Sequence, residues 1–326
     1  MLCSSPFSPA WWLRSSHVQT IVAAQFRPTP SVEYRPEVLE LPDGDFLEVF
    51  WGPERSGAVI LLLHGLGGSI QSSYMPWLMQ ALTQAGFQGI ALHFRSSGEQ
   101  PNRLLRTYHA GETGDLNWLV GHLRQRFPER ALGAVGFSLG GNVLLKWLGE
   151  GGALEAAVAV SVPYLLERTL QQLLRPQSKI YHDYLLRKLA AAALRKSSAR
   201  PDFPVRPDAI RRLRTLLEFD QTLTAPLHGF SSVEHYYRSS SSRPFLRYIT
   251  TPTLLIHAED DPFMTPDVIP LQEELAPEVQ LQTSACGGHV GFLHGESPQQ
   301  IRGWLEERIP EFLQNALSFH SSFLHP

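Results

Sequence analysis

The sequence predicts an α/β fold, a doubly wound and mostly parallel sheet with an inserted helical cap. Three observations predict it. Apolar runs of strand length alternate with segments of helical pattern along the first half of the chain and return near its end. The run 131–135 ends in Gly136-Phe137-Ser138-Leu139-Gly140, which opens into the apolar helical pattern 142–148. Between Pro163 and Arg247 the alternation stops and Leu-rich helical patterns replace it. Residues 1–162 and 248–326 are therefore expected to form the sheet domain, and 163–247 the cap.

The elements follow in order. Residues 40–51, around Pro42-Asp43-Gly44-Asp45, read as a β-hairpin. The continuous apolar run 58–63 reads as a strand buried on both faces and ends in His64-Gly65-Leu66-Gly67-Gly68. A helix from about Tyr74, a strand over 89–94 and a helix from about Thr113 to Phe127 come next. The Ser138 strand and helix follow, then a sixth strand over 156–162, after which the cap enters. Inside the cap, 180–194 reads as a long helix, 201–207 as a proline-rich break and 239–242 as a loop. Strands over 253–257 and 279–283 close the sheet. In such sheets the site lies at the carboxyl ends of the strands, where Ser138, Asp261 and His289 all fall.

Gly-x-Ser-x-Gly at a strand-to-helix junction is the nucleophile elbow of serine hydrolases. The glycines leave room for a sharp turn that lifts the hydroxyl clear of the sheet. The helix begins at the serine, so its free N–H groups face the reacting carbonyl. A serine nucleophile needs a general base, and the base needs an acid to orient it. The order serine, acid, histidine favours late residues. His289, at the end of the strand over 279–283 and after Gly287-Gly288, is the expected base, with His294 the runner-up. The acid is Asp260 or Asp261. The loop after His64 matches neither a dinucleotide nor a phosphate-binding glycine pattern.

Four stretches together carry a family resemblance. They are 12–21 (WLRSSHVQTI), 63–68 (LHGLGG), 136–142 (GFSLGGN), and 260–263 (DDPF) with 287–292 (GGHVGF). The chain resembles α/β-hydrolases of the YheT-like branch, related to the abhydrolase domain-containing esterases and lipases. The resemblance implies carboxylic-ester hydrolysis, with short-chain esters or acylglycerol-type lipids as substrates. It favours Asp261, directly before Pro262, as the acid. It also implies that the backbone N–H groups of Leu66 and Leu139 form the oxyanion hole. Some relatives carry a His-x-x-x-x-Asp acyltransferase motif, which this chain lacks; His109 comes nearest, with Asp115 six positions on. An acyltransferase, thioesterase or amidase on the same triad is the alternative within enzymes. A non-enzymatic scaffold is the alternative of another class.

Composition bounds the rest. A chain of 326 residues, 43% of them hydrophobic, suits one large domain with an insertion. A formal charge of −3 argues against general nucleic-acid binding. Two cysteines, Cys3 and Cys286, give no disulfide framework, and no metal-ligand pattern or cofactor motif is present. These features suit a cytoplasmic protein without an obligate protein partner. No run reaches the length of a membrane span, and no signal peptide is read at the start. Residues 164–214 hold twelve Lys/Arg against four Asp/Glu. They read as a solvated basic face or as a weak peripheral contact with anionic membrane. Trp11 and Trp12 are expected to pack on the core.

Overall fold

The computed structural model describes residues 2–321. Its strands are β1 (Leu2–Ser4), β2 (Arg35–Glu40), β3 (Phe46–Trp51), β4 (Val59–Leu63), β5 (Gln88–His93), β6 (Leu132–Phe137), β7 (Ala156–Val160), β8 (Thr253–Ala258), β9 (Val279–Ser284), β10 (Leu293–His294) and β11 (Arg302–Gly303). The first nine form one sheet in the order β1-β9-β8-β7-β6-β4-β5-β3-β2. Pairing is parallel from β1 to β5 across that order and antiparallel where β3 meets β5 and β2. Strands β4 to β8 are buried at every position. That is why their sequences are continuous apolar runs rather than alternating ones.

Helices cover both faces. Helix α1 (Ser16–Ile21), continued by a π-turn over Val22–Phe26, lies in the chain between β1 and β2. Helix α2 (Tyr74–Gln84) and the C-terminal helix, which begins at Leu305, share one apolar cluster through Met75, Leu78, Ile309 and Leu313. Helices α3 (Gly114–Arg126) and α4 (Leu139–Gly149) belong to the cluster on the other face.

Strands β7 and β8 are neighbours, with Ala157 opposite Thr253, yet the chain between them runs from residue 161 to 252. That segment holds α5 (Leu166–Leu173), α6 (Lys179–Ala199), α7 (Pro207–Arg212), α8 (Leu216–Phe219), α9 (Ala225–Leu227) and α10 (Val233–Ser240). Its own apolar cluster contains Ala193, Phe203, Ile210, Phe219 and Leu223. Asn142 on α4 ties it to the sheet domain: Nδ2 donates to Ala110 O and Ser240 O at 2.8 Å each, and Oδ1 accepts from Ser242 N at 2.9 Å.

Several expectations shift. The hairpin starts at Arg35 rather than Glu40, because β2 is an edge strand whose mostly exposed side chains carry no apolar alternation. Strand β1 is too short to show a period, so the insertion follows the seventh strand in chain order, not the sixth. Ser239 and Ser240 belong to α10, capped by the Ser232 hydroxyl accepting from His235 N at 3.1 Å. Trp12 packs beside the buried Ala10, Leu13 and Leu293, whereas Trp11 is 72% exposed.

Candidate active site

The elbow is built by contact, not by sequence preference alone. A Cβ on Gly136 would lie 2.6 Å from Gly140 O, and one on Gly140 would lie 2.5 Å from His64 O. Only glycine admits that approach of strand, turn and helix. Ser138 sits at φ 50°, ψ −119°, a strained conformation for a residue with a side chain. Its N–H donates to Val160 O at 2.8 Å, which anchors the turn to the adjacent strand.

The structure brings Ser138, His289 and Asp261 together. His289 Nε2 lies 3.1 Å from Ser138 Oγ, and His289 Nδ1 lies 2.8 Å from Asp261 Oδ2. The other oxygen of Asp261 accepts from Phe263 N at 2.8 Å, so the buried carboxylate is held on both sides. The Phe263 ring stacks on the imidazole with centroids 3.8 Å apart. Asp260 points elsewhere: its Oδ1 accepts from Gly288 N at 2.9 Å, bracing the loop that carries His289.

That loop is strained, with Gly288, Val290 and Phe292 all at positive φ. Braces from distant parts of the chain hold it. His289 N donates to Thr20 Oγ1 at 2.9 Å, and Thr20 Oγ1 donates to Ser16 O at 2.8 Å. Gln19 accepts from Leu293 N at 2.7 Å and donates to Leu293 O at 2.9 Å. Val290 N donates to Ser161 Oγ at 3.1 Å. Sequence reasoning did not find Gln19, Thr20 or Ser161 as parts of the site. Gln19 and Thr20 lie in one of the stretches that carry the resemblance, but nothing in their residue types announces a partner more than 260 positions away.

Beneath Ser138, the His64 loop presents backbone donors. Gly65 N donates to Tyr74 Oη at 2.9 Å and Gly67 N to Tyr108 Oη at 2.8 Å. The N–H groups of Leu66 and Leu139 make no hydrogen bond among the described residues. His64 is not a base here. Its Nδ1–H donates to Gly65 O at 2.8 Å, its Nε2 accepts from Phe94 N at 3.3 Å, and burial pushes it down to about 3. His294 lies on β10 with Nε2 3.3 Å from Glu307. The His109 ring packs tilted against His228 with centroids 4.4 Å apart, while Asp115 is held by Arg95 through two bonds of 2.7 Å.

Ser138 and His289 open into a cavity of about 950 Å³. Leu66 and Leu139 of the sheet domain line it, together with Tyr181, Leu185 and Phe219 of the inserted segment. Two carboxylates also line it, Asp183, which pairs with Lys179 at 2.9 Å, and Asp220. Asp220 accepts from Tyr237 Oη at 2.7 Å and Thr224 Oγ1 at 2.6 Å, and burial pushes it up to about 6. Among the described residues no cluster of His, Cys, Asp or Glu is arranged to hold a metal ion. Cys286 is a free thiol; the side chain of Cys3 lies outside the described residues.

A sheet of this topology, with a serine on a strained turn facing a histidine and a carboxylate, defines the α/β-hydrolase class. The family profile described as "alpha/beta hydrolase fold" matches residues 58–296, and the chain belongs to that family. Within it, the chain is similar to YheT of Escherichia coli (strain K12), whose name gives a provisional esterase assignment. The two are 40% identical over 98% of this chain and 96% of the relative. It is also similar to phospholipase ABHD3 of Mus musculus, 28% identical over 94% of this chain and 78% of the relative. The solved esterase Pf2001 of Pyrococcus furiosus shares the fold, with a TM-score of 0.59 and 20% identity over 88% of this chain and 92% of that one.

Proposed function

We propose that the protein is a serine hydrolase of carboxylic esters, short-chain esters or acylglycerol-type lipids, working through an acyl-enzyme. The observation that carries this reading is the hydrogen-bonded line from Ser138 through His289 to the buried Asp261, with Ser138 and His289 opening into a largely apolar cavity. The names of relatives, a provisional esterase and a monoacylglycerol lipase of Saccharomyces cerevisiae, support the same reading.

The steps follow from the geometry. Ser138 Oγ attacks the ester carbonyl as its proton passes to His289 Nε2. Asp261 fixes the tautomer with the proton on Nδ1 and stabilises the imidazolium. The oxygen of the tetrahedral intermediate takes the N–H groups of Leu66 and Leu139, whose loss would cost about 3 kcal/mol each. The intermediate collapses, His289 Nε2 returns the proton to the leaving alkoxide, and the alcohol departs. A water then repeats the attack on the acyl-enzyme with His289 as base, releasing the acid and Ser138.

The test is fluorophosphonate labelling together with a p-nitrophenyl ester series of increasing acyl length. Ser138→Ala should abolish both labelling and turnover while keeping the melting temperature. Turnover at the unmodified rate in that variant refutes the assignment.

A further inference from the structure

Large apolar side chains stay exposed around the mouth of the Ser138 cavity. Ile180 and Tyr184 on α6 line that cavity yet are 63% and 40% exposed. On the facing bank, Ala23, Ala24 and Gln25 of the π-turn line it, and the next residue, Phe26, is 72% exposed. The two banks meet where His17 Nδ1 bonds Tyr181 Oη at 2.8 Å. A protein surrounded only by water gains nothing from such a rim.

The charge of the α6 bank is cationic. Arg187 and Lys188 line the cavity mouth and are exposed, and neither has a carboxylate within ion-pair distance among the described residues. Their charged ends lie 5.8 and 5.7 Å from the centroid of the Tyr184 ring. Lys188 also reaches the oxyanion loop: its Cβ is 3.0 Å from where a Cβ on Gly67 would stand. The cations therefore stand beside the apolar rim, and the base of the Lys188 side chain abuts the His64 loop.

We infer that this rim docks the protein on an anionic lipid bilayer, with Phe26 and Ile180 entering the interface and Arg187 and Lys188 meeting headgroup phosphates. Each signal alone gives weak, reversible attachment, and the two together reinforce one another. Docked this way, the cavity mouth faces the lipid, and an ester with a long acyl chain reaches Ser138 without first crossing water. That benefit rests on the proposed ester hydrolysis; the docking does not.

The experiment is co-sedimentation of the full chain with phosphatidylcholine vesicles, with and without phosphatidylglycerol, at low and high salt. Binding is expected only to the phosphatidylglycerol vesicles, falling steeply as salt screens the contact. Arg187→Glu with Lys188→Glu should weaken it by at least about fivefold per cation, and Phe26→Ser by about tenfold. Melting curves check that the variants fold. The inference is overturned if the unmodified protein stays in solution at low salt, or if either variant sediments as the unmodified protein does. Fluorophosphonate labelling in parallel separates the two readings. Labelled protein that ignores vesicles defeats the docking alone, and unlabelled protein that sediments defeats the ester-hydrolase reading alone.

Discussion

At the scale of single residues, two adjacent aspartates have divided the work. Asp261 holds the imidazole and Asp260 holds the backbone beside it. Asp261→Asn should lower kcat by about 10⁴ because the histidine tautomer is lost. Asp260→Asn should cost far less, since an amide oxygen still accepts from Gly288 N. Steady-state kinetics on one soluble ester decides it, and equal losses would mean the acid is misassigned. Thr20 is a positioning residue for the same histidine. Thr20→Val leaves the His289 N–H without an acceptor, so kcat and the rate of phosphonate labelling should fall together by about tenfold at unchanged KM. Thr20→Ser should restore both. Burial holds His257 at about 4 and His64 at about 3, so neither changes charge above about pH 5.

Among the elements, the inserted segment carries its own ionisable fault line in a second π-turn, Asp220–Thr224, which follows α8. Asp220 has a folded pKa raised to about 6, against 3.8 for a free side chain. Its protonated form is the one the fold prefers, so its favourable contribution is complete below about pH 4 and is lost as pH rises through about 6. Asp220→Asn cannot ionise. The melting temperature of that variant, relative to the unmodified protein, should thus be higher at pH 8 than at pH 4, by about 2 °C or more. Thermal melts across that range check the sign; a gap that widens toward acid contradicts it. The legibility of the elements follows the same logic of burial. The central strands were readable because burial on both faces forces unbroken apolar runs, and Ser138 because close backbone approach forces glycines at fixed offsets. Strand β1, the start of β2 and the braces at Gln19, Thr20 and Ser161 were not. Edge strands need no apolar pattern, and a buried polar side chain is explained only by its partner, which the sequence does not place. The choice between Asp260 and Asp261 needed the family pattern, since both are acidic residues on one turn.

For the whole molecule, the place of the insertion matters most. Strands β7 and β8 lie side by side at the centre of the sheet, but residues 161–252 run between them. Ser138 belongs to the chain before that excursion, Asp261 and His289 to the chain after it. The proposed reacting centre is thus completed across a seam joined by hydrogen bonds and packing rather than by a short covalent link. Cutting the excursion need not part the two sides. The exposed end of α7, at Arg212-Leu213, offers trypsin a site. The nicked protein should elute at the size of the intact chain, still react with fluorophosphonate, and separate into two pieces only in denaturant. By the same reasoning the two pieces, expressed as separate polypeptides, are natural halves of a split reporter whose signal appears only when they meet.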